Sequence, residues 1–175
     1  PAIVEVYAQG DEVELLLNGV SLGKKAAGKE AGFRTLFETT YEPGTLTAVS
    51  YEKGQEIGRN ELKTAGAERT LVVELEEYAG LKGSDQELIY VQVEMRDQNG
   101  VLVADDNQKI TLAVEGEVEV IGFGSGNPKP NYNFNEGVTE LFGGRAQIIL
   151  KKPAETVTLT VKAEDGMKGA ITINK

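Results

Sequence analysis

Residues 12–22 read EVELLLNGVSL, and this stretch decides the fold. Charged and apolar residues alternate along it, the period of a half-buried strand. Asn18-Gly19 in its middle is the preferred two-residue hairpin turn, because both positions require positive φ. Such a loop sets Leu17 opposite Val20 and Leu15 opposite Leu22, all four on one face, so turn chemistry and apolar pattern agree on one register.

The same period continues outward in both directions. Further strands are expected at 3–7, 33–37, 45–51 and 57–63, with turns at Pro43-Gly44 and Lys53-Gly54. The segment Thr64-Ala65-Gly66-Ala67-Glu68 breaks the alternation and reads as a linker. Strands then follow at 70–76, 88–96, 109–114, 118–123, 145–150, Val157–Ala163 and 170–174. Seven strands over about a hundred residues match an immunoglobulin-like sandwich. No segment sustains a helical period with caps. The expected fold is all-β, two consecutive immunoglobulin-like β-sandwich domains, with residues 1–66 the smaller and 67–175 the larger. A segment of the smaller size buries only about 60% of its chain surface, so it is expected to be marginal alone and to lean on the larger.

Two registers resist simple turns. A two-residue loop at Asp165-Gly166 sets Leu159 opposite Thr172, mixing faces, and a bulge at Gly169 would repair it. A tight hairpin over Asp97-Gln98-Asn99-Gly100 would set Val103 opposite Arg96, so this segment is expected to be a loop between sheets.

Composition narrows the chemistry. The formal net charge of −10 argues against nucleic acid and against an anionic membrane surface as partners. With no cysteine and no histidine, disulfides, thiolate metal sites, Cys nucleophiles and His-based triads are excluded. No cofactor is implied. Lack of cysteine does not fix the compartment, because bacterial domains outside the cytoplasm often have no disulfide, and an extracytoplasmic location is favoured. No apolar run approaches the ~20 residues of a membrane-spanning helix. The chain opens at Pro1 directly in strand-like sequence and reads as a piece of something longer.

The glycines of GFGSG, residues 122–126, invite comparison with phosphate-binding loops. Those loops run into a helix N-terminus, whereas here Pro128 and Pro130 follow and prevent a helix start. GFGSG is therefore expected to be a turn. Beyond it, Asn131, Tyr132 and Asn133 alternate amides with an aromatic in a loop of about twenty residues, a length that points to function or to disorder. Planar amides beside an aromatic face suit a sugar, and these three residues are the candidate ligand site. The bland alternative is that Tyr132 and Phe134 plug one end of the sandwich. The combined expectation has Phe134 as a buried anchor and Tyr132 facing out.

Paired-acid hydrolysis needs two carboxyls held rigidly in a cleft. Glu74, Glu76 and Glu77, or Glu115, Glu117 and Glu119, alternate along strands and read as solvated outer faces. Asp105, Asp106 and Asn107 with Asp97 could ligate Ca²⁺, but EF-hand spacing is missing and a solvated loop is the simpler reading. No catalytic residue and no metal site is assigned.

Two long stretches carry a family resemblance. DEVELLLNGVSLGKK with YEPGTLTAVSYEKGQEIGRNELKTAG resembles the small β domain that follows the catalytic barrel in bacterial family 2 glycoside hydrolases of the β-galactosidase kind. From Leu88, LIYVQVEMRDQNGVLVADDNQKITLAVEGEVEVIGFGSGNP and FGGRAQIIL resemble the next domain of the same enzymes. The resemblance implies architecture at Asn18-Gly19, Pro43-Gly44, Gly122, Gly124 and Arg145. It also implies that the catalytic glutamates lie on a barrel of about 250 residues outside this chain. The expected role is a non-catalytic accessory piece whose partners are the remainder of the parent enzyme, including its barrel, and a galactoside-containing glycan. Residues 129–140 depart from the family patterns. A stalk segment of a bacterial surface adhesin is the competing reading.

Overall fold

In the computed structural model, which describes residues 1–76 and 88–175, period-two alternation becomes strand after strand. The described strands are β1 (Ala2–Tyr7), β2 (Glu12–Leu17), β3 (Val20–Ala26), β4 (Arg34–Thr39), β5 (Thr45–Glu52), β6 (Gln55–Lys63), β7 (Arg69–Leu75), β8 (Leu88–Asp97), β9 (Lys109–Glu115), β10 (Val120–Gly124), β11 (Val138–Glu140), β12 (Arg145–Lys151), β13 (Val157–Ala163) and β14 (Lys168–Ile173). One short 3-10 helix, Lys29–Ala31, is the only helix among the described residues. The fold is all-β and comprises two immunoglobulin-like β-sandwich units, Pro1–Thr64 and Ala65–Lys175.

In the first unit, a four-stranded sheet ordered β3-β2-β5-β6 accompanies a two-stranded ribbon of β1 and β4. Val13 and Leu15 of β2 are fully buried and share a core with Ala27 and with Phe37 of β4. Asn18 and Gly19 adopt φ of 51° and 80°, the left-handed geometry of the expected turn. The Asn18 side chain also clasps the Pro43-Gly44 turn. Its Nδ2 donates to the Pro43 carbonyl at 3.1 Å and its Oδ1 accepts the Thr45 amide at 2.9 Å. A Cβ on Gly44 would fall 1.8 Å from that Oδ1, so the two turns require each other.

The hairpin register departs from expectation after its first pairs. Leu17 faces Val20 and Leu16 faces Ser21, but Leu15 faces Gly23, with a register shift between Leu15 and Leu16. Leu22 is the extra residue of a bulge, and Gly23 takes a φ of 117°. The bulge removes Leu22 from the core face, and both Leu22 and Val20 are exposed.

The second unit packs β10-β12-β8-β7 against β11-β9-β13-β14. Val91, Val93 and Met95 of β8 and Ile148 and Leu150 of β12 point inward, to a core shared with Ile110, Leu159 and Val161 of the other sheet. Each such side chain contributes about 1.5–3 kcal/mol on burial. The segment read as a linker is anchored here: Ala65 packs on this core, and the Gly66 amide donates to Asp97 at 2.7 Å.

Both difficult registers are solved by three-residue turns. Asp97 faces Val101 and the Val103 amide donates to Met95 at 2.8 Å, so buried Val103 meets buried Met95 and not Arg96. Gly100 supplies the positive φ, and the chain then crosses to the other sheet at β9. At the other site, Leu159 faces Ile171 and Val161 faces Gly169 with no bulge. The extra residue sits in the turn, where the Gly166 amide donates to Ala163 at 3.0 Å and the Ala163 amide to Met167 at 2.9 Å. Type I turns closed by a left-handed glycine take this form. Gly169 serves packing instead: a Cβ there would lie 2.4 Å from the Leu71 carbonyl oxygen.

GFGSG proves to be mostly strand. β10 runs through Gly124, and a register shift between Val120 and Gly122 bends it. The long loop that follows contains a strand of its own, β11, pairing Val138 with Thr111 and Thr139 with Ile110.

Candidate functional site: a polar sheet face with an exposed ring

Because alternate residues of β8 and β12 fill the core, their neighbours form the opposite face of the sheet. Cross-strand register there pairs Arg145 with Glu94 and Gln147 with Gln92, while Glu74 of β7 also faces Gln92. On the other flank Gly124 faces Gln147 and Gly122 faces Ile149. A tight turn sets the first pair. Gly143 and Gly144 take φ of 60° and 76°, and the Phe142 amide donates to the Arg145 carbonyl at 2.9 Å, starting β12 at the arginine.

Glu94 is the centre of the electrostatics. Only 5% of it is exposed, and it accepts from Arg145 Nε at 2.8 Å and from Arg96 Nε at 2.7 Å. Arg96 also donates to Glu74, and Gln147 to Glu76. Burial pushes the Glu94 carboxyl upward, but the hydrogen bonds from Arg145 and Arg96 outweigh it and hold the group below its ordinary range. The guanidiniums are therefore engaged from one side by carboxylates, which fixes the orientation of the face.

Beside this ladder lies a shallow cleft of about 420 Å³, lined by Glu76, Gln92, Gln147, Arg145 and Phe134. Phe134 is 54% exposed, against 1% for Phe123, so the expected buried anchor is instead a surface ring. Its carbonyl accepts the Phe123 amide at 2.8 Å, which folds the loop back across β10. A Cβ on Gly124 would come within 2.3 Å of the ring, and one on Gly122 within 3.7 Å of Phe134 Cβ. Glycine inside a strand costs about 0.5–1 kcal/mol relative to alanine. Gly124 thus makes room for a ring that is left half open to solvent, whereas a Cβ on Gly122 would be in ordinary contact.

The residues singled out from sequence, Asn131, Tyr132 and Asn133, do not line this cleft; of their loop, Phe134 does. Asn131 Nδ2 donates to Glu140 at 2.9 Å and Asn133 Nδ2 to Glu136 at 2.7 Å, so each amide spends a donor inside the loop. Tyr132 is half-buried, with Lys109 Nζ 5.7 Å from its ring centroid. The acidic series divide. Glu115, Glu117 and Glu119 are exposed, whereas Glu74 and Glu76 are half-buried and hydrogen-bonded; Glu77 lies outside the described residues. Asp97 accepts three backbone amides, from Gly66, Asn99 and Val101 at 2.7–2.8 Å. Asp106 accepts Gln108 and Arg69, and Asn107 accepts Gly143, so these oxygens serve turns. Among the described residues no group of His, Cys, Asp or Glu is arranged to hold a metal ion.

The fold and its polar face define an immunoglobulin-like β-sandwich module. Residues 73–172 match the family model described as glycoside hydrolase family 2 C-terminal domain 5, and the chain belongs to that family. Residues 1–58 match a domain of unknown function, DUF4982. The chain is 28% identical over 168 residues to the β-galactosidase BoGH2A of Bacteroides ovatus, covering 94% of this chain and 19% of that protein. A solved family 2 glycosyl hydrolase of Bacteroides cellulosilyticus superposes with a TM-score of 0.86 at 26% identity, covering 98% of this chain and 24% of that one. A β-glycosidase of Bacteroides vulgatus shows the same fold, with a TM-score of 0.80 at 24% identity over 99% of this chain and 22% of its own. The chain thus spans less than a fifth of the length of the curated relative.

Proposed function

We propose that the chain is a non-catalytic accessory module of a β-galactosidase-like family 2 glycoside hydrolase, packing against the remainder of the enzyme and contacting glycan. The observation that carries this is the outer face of the β1/β4 ribbon. Register places Ile3 beside Glu38, Leu36 beside Glu5 and Tyr7 beside Arg34. Ile3 is 71% and Tyr7 70% exposed, and Leu36 is exposed as well. A row of large apolar side chains interleaved with charges, including the Arg34–Glu5 pair, is the composition of a protein interface and costs solvation while uncovered. Family membership favours this reading over a surface stalk.

In the parent enzyme, Ile3→Asp with Leu36→Asp tests the packing. Neither side chain is buried in the chain itself, so the module stays folded, and limited proteolysis of the parent releases it faster than from wild type. An unchanged release rate would show that the ribbon face meets only solvent and would remove the packing role.

A further inference from the structure

We propose that the cleft beside Phe134 is a binding site for a neutral pyranose unit of a glycan. This deepens the glycan contact in the function proposed above and rests on that reading for the source of the sugar. A volume of about 420 Å³ lies within the range of small-ligand sites. Its walls divide as a sugar does. The Phe134 ring, seated on Gly124, offers a flat apolar face suited to the C–H side of a pyranose. Around it, Gln92 and Gln147 offer planar amides and Glu76 a carboxylate, suited to ring hydroxyls.

The charge selects among sugars. Glu74, Glu76 and Glu94 place three carboxylates on this face against the two guanidiniums of Arg96 and Arg145, both already held by carboxylates. A uronate or sulfated sugar would meet excess negative charge on a chain of net −10, while a neutral sugar meets none. Because Glu76 and Gln147 are hydrogen-bonded to each other before any ligand arrives, the polar wall is ordered in advance, which lowers the entropic cost of binding.

Amide-resolved NMR titration of the 175-residue chain with lactose and, separately, with sodium glucuronate tests the site. Lactose is expected to shift the amides of Gln92, Gly124, Phe134 and Gln147 with millimolar affinity, and glucuronate to bind more weakly. Phe134→Ala should weaken lactose binding by roughly tenfold or more, equivalent to about 1.4 kcal/mol of lost contact. Gly124→Ala, which keeps the ring but displaces it, should do the same while leaving shifts elsewhere unchanged. No site-confined shift with lactose, or shifts that survive both substitutions, overturns the site. Tighter binding of glucuronate overturns the charge assignment. The titration reports on sugar alone, so its failure leaves the packing role, read by proteolysis of the parent, standing.

Discussion

Arg145 and Glu94 stand directly opposite one another on β12 and β8, with Nε 2.8 Å from Oε1. The pair is made by a glycine turn that starts one strand at the arginine and by a core pattern that points the glutamate away from Val93 and Met95. Removing the carboxylate takes from Arg145 and Arg96 the acceptor they share and leaves Arg96 with Glu74 alone. Glu94→Ala is expected to cost about 1.5–3 kcal/mol, the range for hydrogen bonds to charged groups. Chemical denaturation checks it; a loss within experimental error would mean that solvent already screens the pair.

Acid should act through the same carboxylate. The Glu94 and Asp97 carboxyls lie below their ordinary values of 4.5 and 3.8, the first because its arginine hydrogen bonds outweigh burial, the second chiefly through the Gly66 amide. A lowered folded pKa means that the stabilisation is complete above the unfolded value and disappears as pH falls through the folded one. The melting temperature is therefore expected to be level from pH 7 to about 5 as far as these groups are concerned, and to fall below about pH 4.5. Glu94→Gln combined with Asp97→Asn should lower the plateau and flatten the acid limb. An unaltered limb would assign acid sensitivity to other groups.

Gly169 tests how closely the two sheets of the larger unit approach. With the Leu71 carbonyl 2.4 Å and Val73 Cγ2 2.8 Å from the position of a Cβ, alanine cannot enter without moving β14 or β7. Gly169→Ala is expected to destabilise by about 1–3 kcal/mol, the cost of overpacking a core. Gly58→Ala, in a strand with no positive φ and nothing within 4 Å, is the control that isolates this steric cost.

The chain should hydrolyse no nitrophenyl galactoside above buffer. Among the described residues, Glu74 and Glu76 are tied up in hydrogen bonds with Arg96 and Gln147, and Arg96 and Arg145 hold Glu94 below its ordinary range, which is not the arrangement of a carboxyl pair poised as acid and base. Turnover that survives repurification and is lost in a single Glu→Gln variant would sink this expectation.

The strands were legible in the sequence because each buries one side, and burial writes itself as alternation. The Asn18-Gly19 turn was legible because positive φ restricts residue type. What stayed hidden depends on which distant strand lies alongside. Glu94 reads as one more alternating charge until β12 supplies Arg145. The bulge at Leu22 and the three-residue turn at Gly166 each move one residue, and alternation alone does not locate that residue. β11 escaped because three residues carry too little period. The candidate loop was found from its amides and rings, but its roles were exchanged: Phe134 is the exposed ring and Tyr132 the half-buried one. The available signal was Gly124, a strand glycine whose reason lies in the ring above it.

Phe123 and Phe134 put that exchange to a single measurement. They are joined by one backbone hydrogen bond of 2.8 Å yet lie on opposite sides of β10, one 1% and the other 54% exposed. Phe123 fills the sandwich core, so Phe123→Ala should cost about 3–5 kcal/mol through lost burial and the cavity left behind. Phe134 covers glycine backbone without being enclosed, and its truncation should change stability by only about 0.5 kcal/mol. The backbone bond is retained in both variants, so the difference isolates the side chains. Phe134→Leu refines the test, since leucine keeps apolar cover over Gly124 but offers no flat face. Stability equal to wild type with sugar binding lost would mark the ring as a contact and not a plug. If Phe134→Ala instead destabilises as much as Phe123→Ala, the loop is architecture, and Gly124 exists to seat a structural residue.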